Sequence, residues 1–181
     1  MKGQIIVTHA NKQRFCAADL YDAHHMQLRV STLQFRSFGQ RGSFWGQAET
    51  LRTFEDHSPV LAAVSEPGDG KVLVVDAGGS LRVGVMGDNL AAEAARNGWA
   101  GVVINGAIRD SVGIGGIDIG VKALGATARR GWNPSKGFRS CPVEIGNITV
   151  EPGEWVYCDE DAVMVSADFL EPGDIPPPTP E

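Results

Sequence analysis

The sequence predicts a single domain of mixed α/β or α+β class, and three observations support this prediction. The 181 residues suit one domain of ordinary size, and 43% of them are hydrophobic, which is enough for a sizeable core. Helical patterns lie mainly in the first two-thirds of the chain. Short β-rich segments separated by turns close it, and this order does not suit a regular doubly wound parallel sheet.

The predicted domain covers residues 15–170 and lies between two segments of different character. Residues 1–14 form a mostly polar N-terminal arm, in which the apolar run Ile5–Val7 could be an edge strand or remain loose. Residues 171–181 form a proline-rich, acidic tail. We expect this tail to be disordered, because such a composition cannot bury a core.

The first elements of the domain are a helix and two strands. Phe15–Met26 predicts a short amphipathic helix, because its apolar residues recur at helical spacing. Ser31–Gln34 and Ser43–Phe54 have the composition of strands. Gly46 lies inside the second of them and indicates a bulge.

A second helix and a buried strand follow. Ser58 is the predicted N-cap of this helix and Pro59 its first residue, and the helix ends before Pro67-Gly68. Lys71–Val75 is short, apolar and rich in β-branched residues, which is typical of a buried strand.

The segment Gly87–Asp110 is the centre around which the rest of the chain is organised. It predicts a helix at about Asn89–Arg96 and a buried strand at Gly101–Ile104. The flanking loops are Gly87–Leu90 and Asn105–Asp110. Strand–helix–strand geometry returns the chain to the same edge of a sheet, so these two loops should lie close together in space.

The last third of the chain predicts mainly short strands. A strand is expected at Val121–Thr127, and the basic segment Arg129–Arg139 predicts a long exposed loop. Turns containing Gly, Pro, Asn or Asp separate the remaining strands. These are Pro142–Ile145, Ile148–Val150, Trp155–Tyr157 and Val163–Ser166.

Charge and cysteine content exclude several classes of protein. A net charge of −6 argues against direct nucleic-acid binding, which needs a basic face, but it suits a protein partner with a basic surface. The three scattered cysteines do not form a disulfide framework. The chain shows neither a secretory signal nor a run of roughly 20 apolar residues that could span a membrane. We therefore expect a cytoplasmic protein.

Common cofactor and nucleophile motifs are absent from the sequence. It contains no G-x-G-x-x-G, no G-x-x-x-x-G-K-[ST] phosphate loop and no G-x-S-x-G. The first two absences argue against a dinucleotide or P-loop cofactor, and the third against a hydrolase nucleophile elbow. The histidines have no metal-binding spacing and are predicted to be surface or packing residues. They are His9, His24, His25 and His57.

Several stretches of sequence carry a family resemblance that covers most of the chain. They are AADLYDAH (Ala17–His24), LQFRSFGQRGSFWGQAETLRTFED (Leu33–Asp56), GDGKVLVVDAGGSLRVGVMGDNLAAEAARNGWAGVVINGAIRD (Gly68–Asp110), IDIGVKALG (Ile117–Gly125) and PGEWVYCDEDAVMV (Pro152–Val165). The specific signature is an Asp, twenty residues, and then Arg-Asp, which Asp88 and Arg109-Asp110 match. These stretches resemble the RraA family. It joins the regulator of ribonuclease E activity A to the class II 4-hydroxy-4-methyl-2-oxoglutarate aldolases, with some members labelled demethylmenaquinone methyltransferase-like (MenG).

The resemblance implies a swivelling β/β/α sandwich-like domain that forms a homotrimer or a dimer of trimers. It implies retro-aldol cleavage of 4-hydroxy-4-methyl-2-oxoglutarate to two pyruvates, with oxaloacetate decarboxylation as a side activity through the same enolate. A divalent ion, Mg²⁺ or Mn²⁺, is the implied cofactor. Asp110 is the implied metal ligand and Arg109 a substrate-binding residue. The implied substrate-binding loop is Gly87, Asp88, Asn89 and Leu90.

The chemistry of a 2-oxo acid suits these residue types. Its carboxylate and ketone can chelate one hard cation, and one protein carboxylate such as Asp110 plus waters is an ordinary Mg²⁺ site. Arg109 can stabilise the negative charge that builds on the ketone oxygen as the C–C bond breaks. Free N–H groups at the helix start near Asn89 can bind the substrate carboxylate. Asp88 can hold or activate a water that takes the hydroxyl proton.

Simpler interpretations of the same residues remain open at this point. Asp88 could serve only as the N-cap of its helix, and Arg109-Asp110 could be a surface ion pair. Aldolase members often carry a further acid three residues after the Arg-Asp pair, where this chain has Gly113. We therefore expect a weaker metal site, and decarboxylation that exceeds aldol cleavage.

Two other functions compete with the lyase. In the first, the protein binds ribonuclease E and inhibits it without catalysis, its acidic surface meeting arginine-rich segments of that partner. In the second, the protein is a methyltransferase, which requires a site for S-adenosylmethionine. The sequence has no glycine-rich nucleotide motif followed by a ribose-binding acid, so we rank this function third.

Overall fold

The computed structural model of the protein describes residues 14–132 and 134–173. The predicted N-terminal arm, apart from Arg14, lies outside these residues, and so do residues 174–181 of the predicted tail. No helix within the described ranges is long and apolar enough to cross a membrane.

Strands dominate the architecture and helices are few. The helices are α1 (Ala17–His24), α2 (Ser58–Val64), α3 (Asp88–Arg96) and α4 (Ser111–Ile114). The strands are β1 (Arg29–Val30), β2 (Arg36–Ser37), β3 (Phe44–Arg52), β4 (Val72–Asp76), β5 (Gly101–Ile108), β6 (Gly120–Ala126), β7 (Phe138–Arg139), β8 (Val143–Ile145), β9 (Ile148–Val150), β10 (Trp155–Cys158) and β11 (Val163–Ser166).

One mixed sheet runs through the whole domain. Among the described residues it has nine strands, in the order β1-β11-β10-β3-β4-β5-β6-β2, with β7 paired to the end of β3. The four central strands β3 to β6 are parallel to one another, and the flanking pairs are antiparallel. Strand β3 joins the two halves of the sheet, because Phe44–Gln47 pair with β10 and Ala48–Arg52 pair with β4.

Three layers bury the core. Side chains of α2, α3 and α4 pack on one face of the central strands in a cluster that includes Val60, Ala91 and Ile114. The hairpin β8–β9 covers the other face, where Val143 and Ile148 belong to a second cluster. Because parallel strands have both faces covered, their residues form nearly continuous apolar runs. The order of layers confirms the predicted β/β/α sandwich and the α/β class.

Most predicted elements are confirmed, but two strand predictions were wrong. Ser31–Gln34 is not a strand: the Ser31 N–H still donates to the carbonyl of Val163, but the next two N–H groups donate to side chains, Thr32 N–H to Asn147 Oδ1 and Leu33 N–H to Ser31 Oγ. Gly46 forms no bulge, since its pairing with Val156 lies in continuous register. A Cβ at Gly46 would lie 2.3 Å from the carbonyl oxygen of Gly70, so close backbone approach explains this glycine.

Two boundaries differ from the prediction. Helix α2 begins at Ser58 with His57 as its N-cap, and the Asp56 carboxylate accepts the Ser58 N–H at 3.0 Å, so Ser58 is not the cap. Strand β5 continues to Ile108, through most of the predicted loop Asn105–Asp110, because its pairing with β6 resumes after a register shift. Strand β7 lies within Arg129–Arg139, which was predicted to be an exposed loop, and helix α4 follows directly after the predicted loop Asn105–Asp110.

Candidate active site

A cavity of about 290 Å³ lies where the start of α3 meets the end of β5. It contains all six residues that the sequence analysis assigned to a site, so the structure brings the two predicted loops together as expected. These six residues are Gly87, Asp88, Asn89, Leu90, Arg109 and Asp110. The lining also includes His57, Leu61, Gly84 and Arg130.

Backbone hydrogen bonds hold the two loops side by side. The N–H of Arg109 donates to the carbonyl of Met86 at 2.8 Å, and the N–H of Val85 donates to Ala107 at 2.9 Å. Gly87 is the N-cap of α3, and a Cβ on it would lie 2.7 Å from Asp110 Oδ2. A glycine at position 87 therefore lets the backbone of one loop approach the carboxylate of the other.

Arg109 and Asp110 form an ion pair at the pocket wall. Arg109 Nε donates to Asp110 Oδ2 at 3.0 Å, and both side chains remain about one-third exposed, at 32% and 38%. The Asp110 backbone is left-handed, with φ 56° and ψ 42°, and immediately precedes α4. A non-glycine residue in this region is uncommon, and Asp and Asn tolerate it best. The surface-pair interpretation is therefore incomplete, because the pair lines the pocket.

Asp88 lies one residue after the N-cap of α3. It is the first residue of α3, and its Oδ1 accepts the N–H of Asn89 at 2.7 Å. The N-cap interpretation is wrong because Gly87 occupies that position. The opposite side of Asp88 packs on Gly113, where an added Cβ would lie 2.7 Å from Asp88 Oδ2 and 2.9 Å from Asp88 Cβ. The glycine at 113 thus makes the room that Asp88 occupies.

A divalent cation is the group that the family resemblance implies here. No cluster of three or more His, Cys, Asp or Glu that could hold a metal is found within residues 14–132 and 134–173. The carboxylates that could hold such an ion are Asp110, whose Oδ1 has no hydrogen-bond partner among these residues, and Asp88 on the same cavity. Hard oxygen donors in small number fit Mg²⁺, which keeps several of its waters.

Sequence reasoning missed two pocket residues that can carry charge. His57 was taken as a surface or packing histidine, and Arg130 as part of an exposed basic loop. In the structure Arg130 Nη2 lies 3.3 Å from His57 Nε2, and the Arg130 guanidinium stacks over the Trp132 ring at 5.0 Å. The only sequence signal was the concentration of basic residues at 129–139, which does not indicate a contact with His57.

Asp56 anchors the segments that carry these two residues. It is 1% exposed, and its carboxylate accepts the backbone N–H groups of Ser58 in α2 and Ser135 in the loop. Burial raises the pKa of Asp56, but the hydrogen bonds from Ser58 and Ser135 outweigh it and hold the pKa below its ordinary value of 3.8. The ionised carboxylate therefore ties the 129–139 loop to the start of α2.

Asp56→Asn should lower the free energy of unfolding by about 1–3 kcal/mol at neutral pH, because an amide cannot accept both backbone N–H groups equally well. Since the folded pKa is lowered, the carboxylate stabilises the fold fully above the unfolded pKa, and this contribution is lost as the pH falls through the lower folded value. Urea unfolding from about pH 7 down to pH 3 should show the difference from wild type shrinking in acid. Asp22→Asn, on the exposed side of α1, is the matched control. A pH-independent difference would contradict the assignment.

Comparison with known proteins places this site in a family context. The family model described as Aldolase/RraA matches residues 17–165. A relative from Alkalilimnicola ehrlichii is 47% identical over 152 residues, covering 84% of this chain and 94% of its own. Another from Aromatoleum aromaticum is 45% identical over 156 residues, covering 86% and 98%. Both carry the provisional name 4-hydroxy-4-methyl-2-oxoglutarate aldolase.

Two solved structures have nearly the same fold. The RNA-processing inhibitor RraA from Thermus thermophilis superimposes with a TM-score of 0.83 at 37% identity, covering 87% of this chain and 96% of its own. A structure from Geobacillus kaustophilus HTA426, titled S-adenosylmethionine:2-dimethylmenaquinone methyltransferase, gives a TM-score of 0.82 at 42% identity, covering 86% and 96%. The proteins that this chain resembles are thus named as an aldolase, an inhibitor and a methyltransferase.

Proposed function

The chain belongs to the RraA-like (Aldolase/RraA) family, and from this premise we propose that it is a divalent-metal-dependent carbon–carbon lyase acting on small 2-oxo acids. The proposed reactions are aldol cleavage of 4-hydroxy-4-methyl-2-oxoglutarate and decarboxylation of oxaloacetate. The observation that carries the proposal is the pocket in which the Arg109–Asp110 pair faces the start of α3 and Asp88.

Helix α3 supplies the carboxylate site of the proposed reaction. The first N–H groups of a helix have no partner within the helix and lie at its positive dipole end. Here they belong to the pocket-lining residues Asp88, Asn89 and Leu90. The Asn89 N–H already contacts the Asp88 carboxylate, so Leu90 and Asp88 offer the backbone donors for the substrate carboxylate.

Arg109 and Asp88 carry the charge and the proton in this proposal. Asp88, through a water, takes the proton of the C4 hydroxyl as the C3–C4 bond breaks and the electron pair moves to the C2 ketone oxygen. The Arg109 guanidinium stabilises the resulting enolate oxygen, and protonation at C3 then gives pyruvate. The C4 fragment leaves as a second 2-oxo acid. A divalent ion bound at Asp110 would add Lewis-acid stabilisation of the same oxygen.

The experiment that tests this function is pyruvate release from oxaloacetate and from 4-hydroxy-4-methyl-2-oxoglutarate, with Mg²⁺, with Mn²⁺ and with chelator. We expect release above the metal-only background that disappears with chelator. We also expect oxaloacetate to be the faster substrate, because Gly113 stands where aldolase members often carry an acid. Equal turnover of both substrates at the level of a dedicated aldolase would contradict the second expectation, and no release would contradict the function.

Gly113→Ala should lower kcat/KM for 4-hydroxy-4-methyl-2-oxoglutarate about 10-fold, because the added Cβ would displace Asp88 at the start of α3. Rotation of the Asp88 carboxylate cannot relieve the contact, since Asp88 Cβ itself is 2.9 Å from the new atom. Gly116→Ala is the matched control, because its nearest neighbour would be 3.5 Å away. Steady-state kinetics on both variants checks the prediction, and unchanged kinetics for Gly113→Ala would contradict the proposed role of Asp88.

A second candidate function is inhibition of ribonuclease E by direct binding. The structural similarity to the Thermus RNA-processing inhibitor supports it, as does the net charge of −6, which favours a basic partner surface. A pull-down with purified ribonuclease E distinguishes the two functions. Binding that survives Asp110→Asn but is lost after substitution of exposed acids would support the regulator. If no binding is detected, the regulator function is rejected and the lyase is the remaining candidate.

A further inference from the structure

We propose that Arg130, positioned by His57, forms a second anion subsite in the pocket and selects substrates that carry a second carboxylate. The inference rests on the proposed lyase function and assigns a specificity role to residues outside the Arg109–Asp110 signature. The substrate class is a 2-oxo acid with a carboxylate at its far end. A 2-oxo acid with an apolar far end is the disfavoured class.

The first observation is that the pocket has two guanidinium groups in different states. Arg109 is neutralised by Asp110 at 3.0 Å. Arg130 has no carboxylate within ion-pair distance among residues 14–132 and 134–173, and its contacts are His57 Nε2 and the Trp132 ring. A guanidinium in a cavity without a paired anion favours an anionic ligand, and its planar fork matches a carboxylate.

The second observation is the contact that His57 makes with Arg130. Arginine has no acceptor atom, so Arg130 Nη2 can only be the donor in its 3.3 Å contact with His57 Nε2. Nδ1 is buried and has no hydrogen-bond partner in the described part of the chain, and Asp56 Oδ1 lies 4.0 Å from it. The His57 ring therefore orients Arg130 through this contact. A substrate carboxylate would replace this weak contact with a charge-assisted hydrogen bond, which is roughly twice as strong.

The third observation is that one backbone segment fixes the two arginines relative to each other. Gly84 forms bridges both to Ala107, two residues before Arg109, and to Arg130 itself. Its N–H donates to the carbonyl of Arg129 at 2.9 Å. Asp56 holds the same loop through Ser135. Both guanidiniums thus come from segments flanking Gly84 and line one cavity, so one molecule in this cavity can contact both the start of α3 and Arg130.

The test compares two substrates that differ only in the far group. 4-Hydroxy-4-methyl-2-oxoglutarate has a C5 carboxylate, and 4-hydroxy-4-methyl-2-oxopentanoate has a methyl group in its place and yields pyruvate and acetone. Arg130→Met should lower kcat/KM for the dicarboxylate about 10- to 100-fold more than for the monocarboxylate, mainly through KM. Arg130→Lys should recover part of the loss. Arg129→Met, an exposed neighbour outside the cavity, should leave both substrates unchanged.

Binding without turnover separates this inference from the lyase proposal. Titration calorimetry with 2-oxoglutarate and 2-oxobutanoate should show a preference for the dicarboxylate in wild type that Arg130→Met removes. If neither aldol substrate yields pyruvate while this preference and its loss are observed, the lyase proposal fails and the subsite stands. If the ratio of the two affinities, or of the two kcat/KM values, is the same in wild type and Arg130→Met, the subsite is overturned.

Discussion

Asp110→Asn should reduce metal-dependent pyruvate release from oxaloacetate by about three orders of magnitude, the largest effect expected for any single change. Asp110 is the carboxylate of the Arg-Asp signature on the cavity, and its Oδ1 is free among the described residues. An amide binds a hard cation more weakly than a carboxylate does, and it leaves Arg109 without its counter-charge. The loss should appear in kcat, with Mg²⁺ titration showing a raised apparent metal dissociation constant.

Asparagine is the better substitution here because of the backbone. Asp110 has φ 56°, a conformation that Asn adopts readily and Ala does not. Asp110→Ala therefore combines loss of the carboxylate with backbone strain, and only the asparagine variant isolates the chemistry. Asp22→Asn on the exposed side of α1 controls for a change of charge. An Asp110→Asn protein that keeps more than a tenth of wild-type activity would remove Asp110 from the proposed metal site.

Arg109→Met should lower kcat for oxaloacetate about 10²- to 10³-fold, because a donor that stabilises developing oxyanion charge is worth this much in comparable sites. KM should change less, since the interaction strengthens as negative charge builds on the ketone oxygen. Arg109→Lys should be intermediate, because an ammonium keeps the charge but not the planar fork. Steady-state kinetics at saturating Mg²⁺ separates kcat from KM.

The control for Arg109 lies in the same region of the protein. Arg129→Met removes an exposed guanidinium that does not line the cavity, and it should leave kcat within about twofold. Thermal unfolding of both variants checks that the fold is intact, which is expected because the Arg109 ion pair is partly exposed and contributes little stability. If Arg109→Met changed KM alone, Arg109 would bind the substrate and the transition state equally well. This result would contradict a role in stabilising the enolate.

The approach of the two site loops to each other was predictable, because it follows from the direction of the chain. Asp88 and Arg109 lie at the two ends of a helix–strand unit, and parallel strands deliver such ends to one edge of the sheet. The structure shows that edge as a cavity shared by Gly87, Asp88, Arg109 and Asp110. The short strands near the C-terminus were predictable for a similar local reason, since turn residues separate clear apolar runs.

The other side of the pocket could not be predicted from local pattern. His57 and Arg130 are 73 residues apart, and their contact depends on the pairing of Gly84 with two separate segments. The local sequence also led to the wrong prediction of a bulge at Gly46, whose role depends on the approach of the Gly70 carbonyl. Sequence periodicity indicates on which face of its own helix or strand a residue lies. It does not report which distant backbone approaches that face.

The strand that joins the two halves of the sheet has a consequence for how the molecule melts. Phe44–Gln47 complete the antiparallel half and Ala48–Arg52 complete the parallel half, so neither half can separate without breaking a continuous nine-residue strand. Partial opening that spares one half is therefore costly, and the domain should lose its structure in one all-or-none transition. Amide hydrogens along β3 should exchange only through global unfolding, and at the slowest rates in the protein. The rigidity that this provides extends to the pocket, because β4 pairs directly with β3 and β5 pairs with β4.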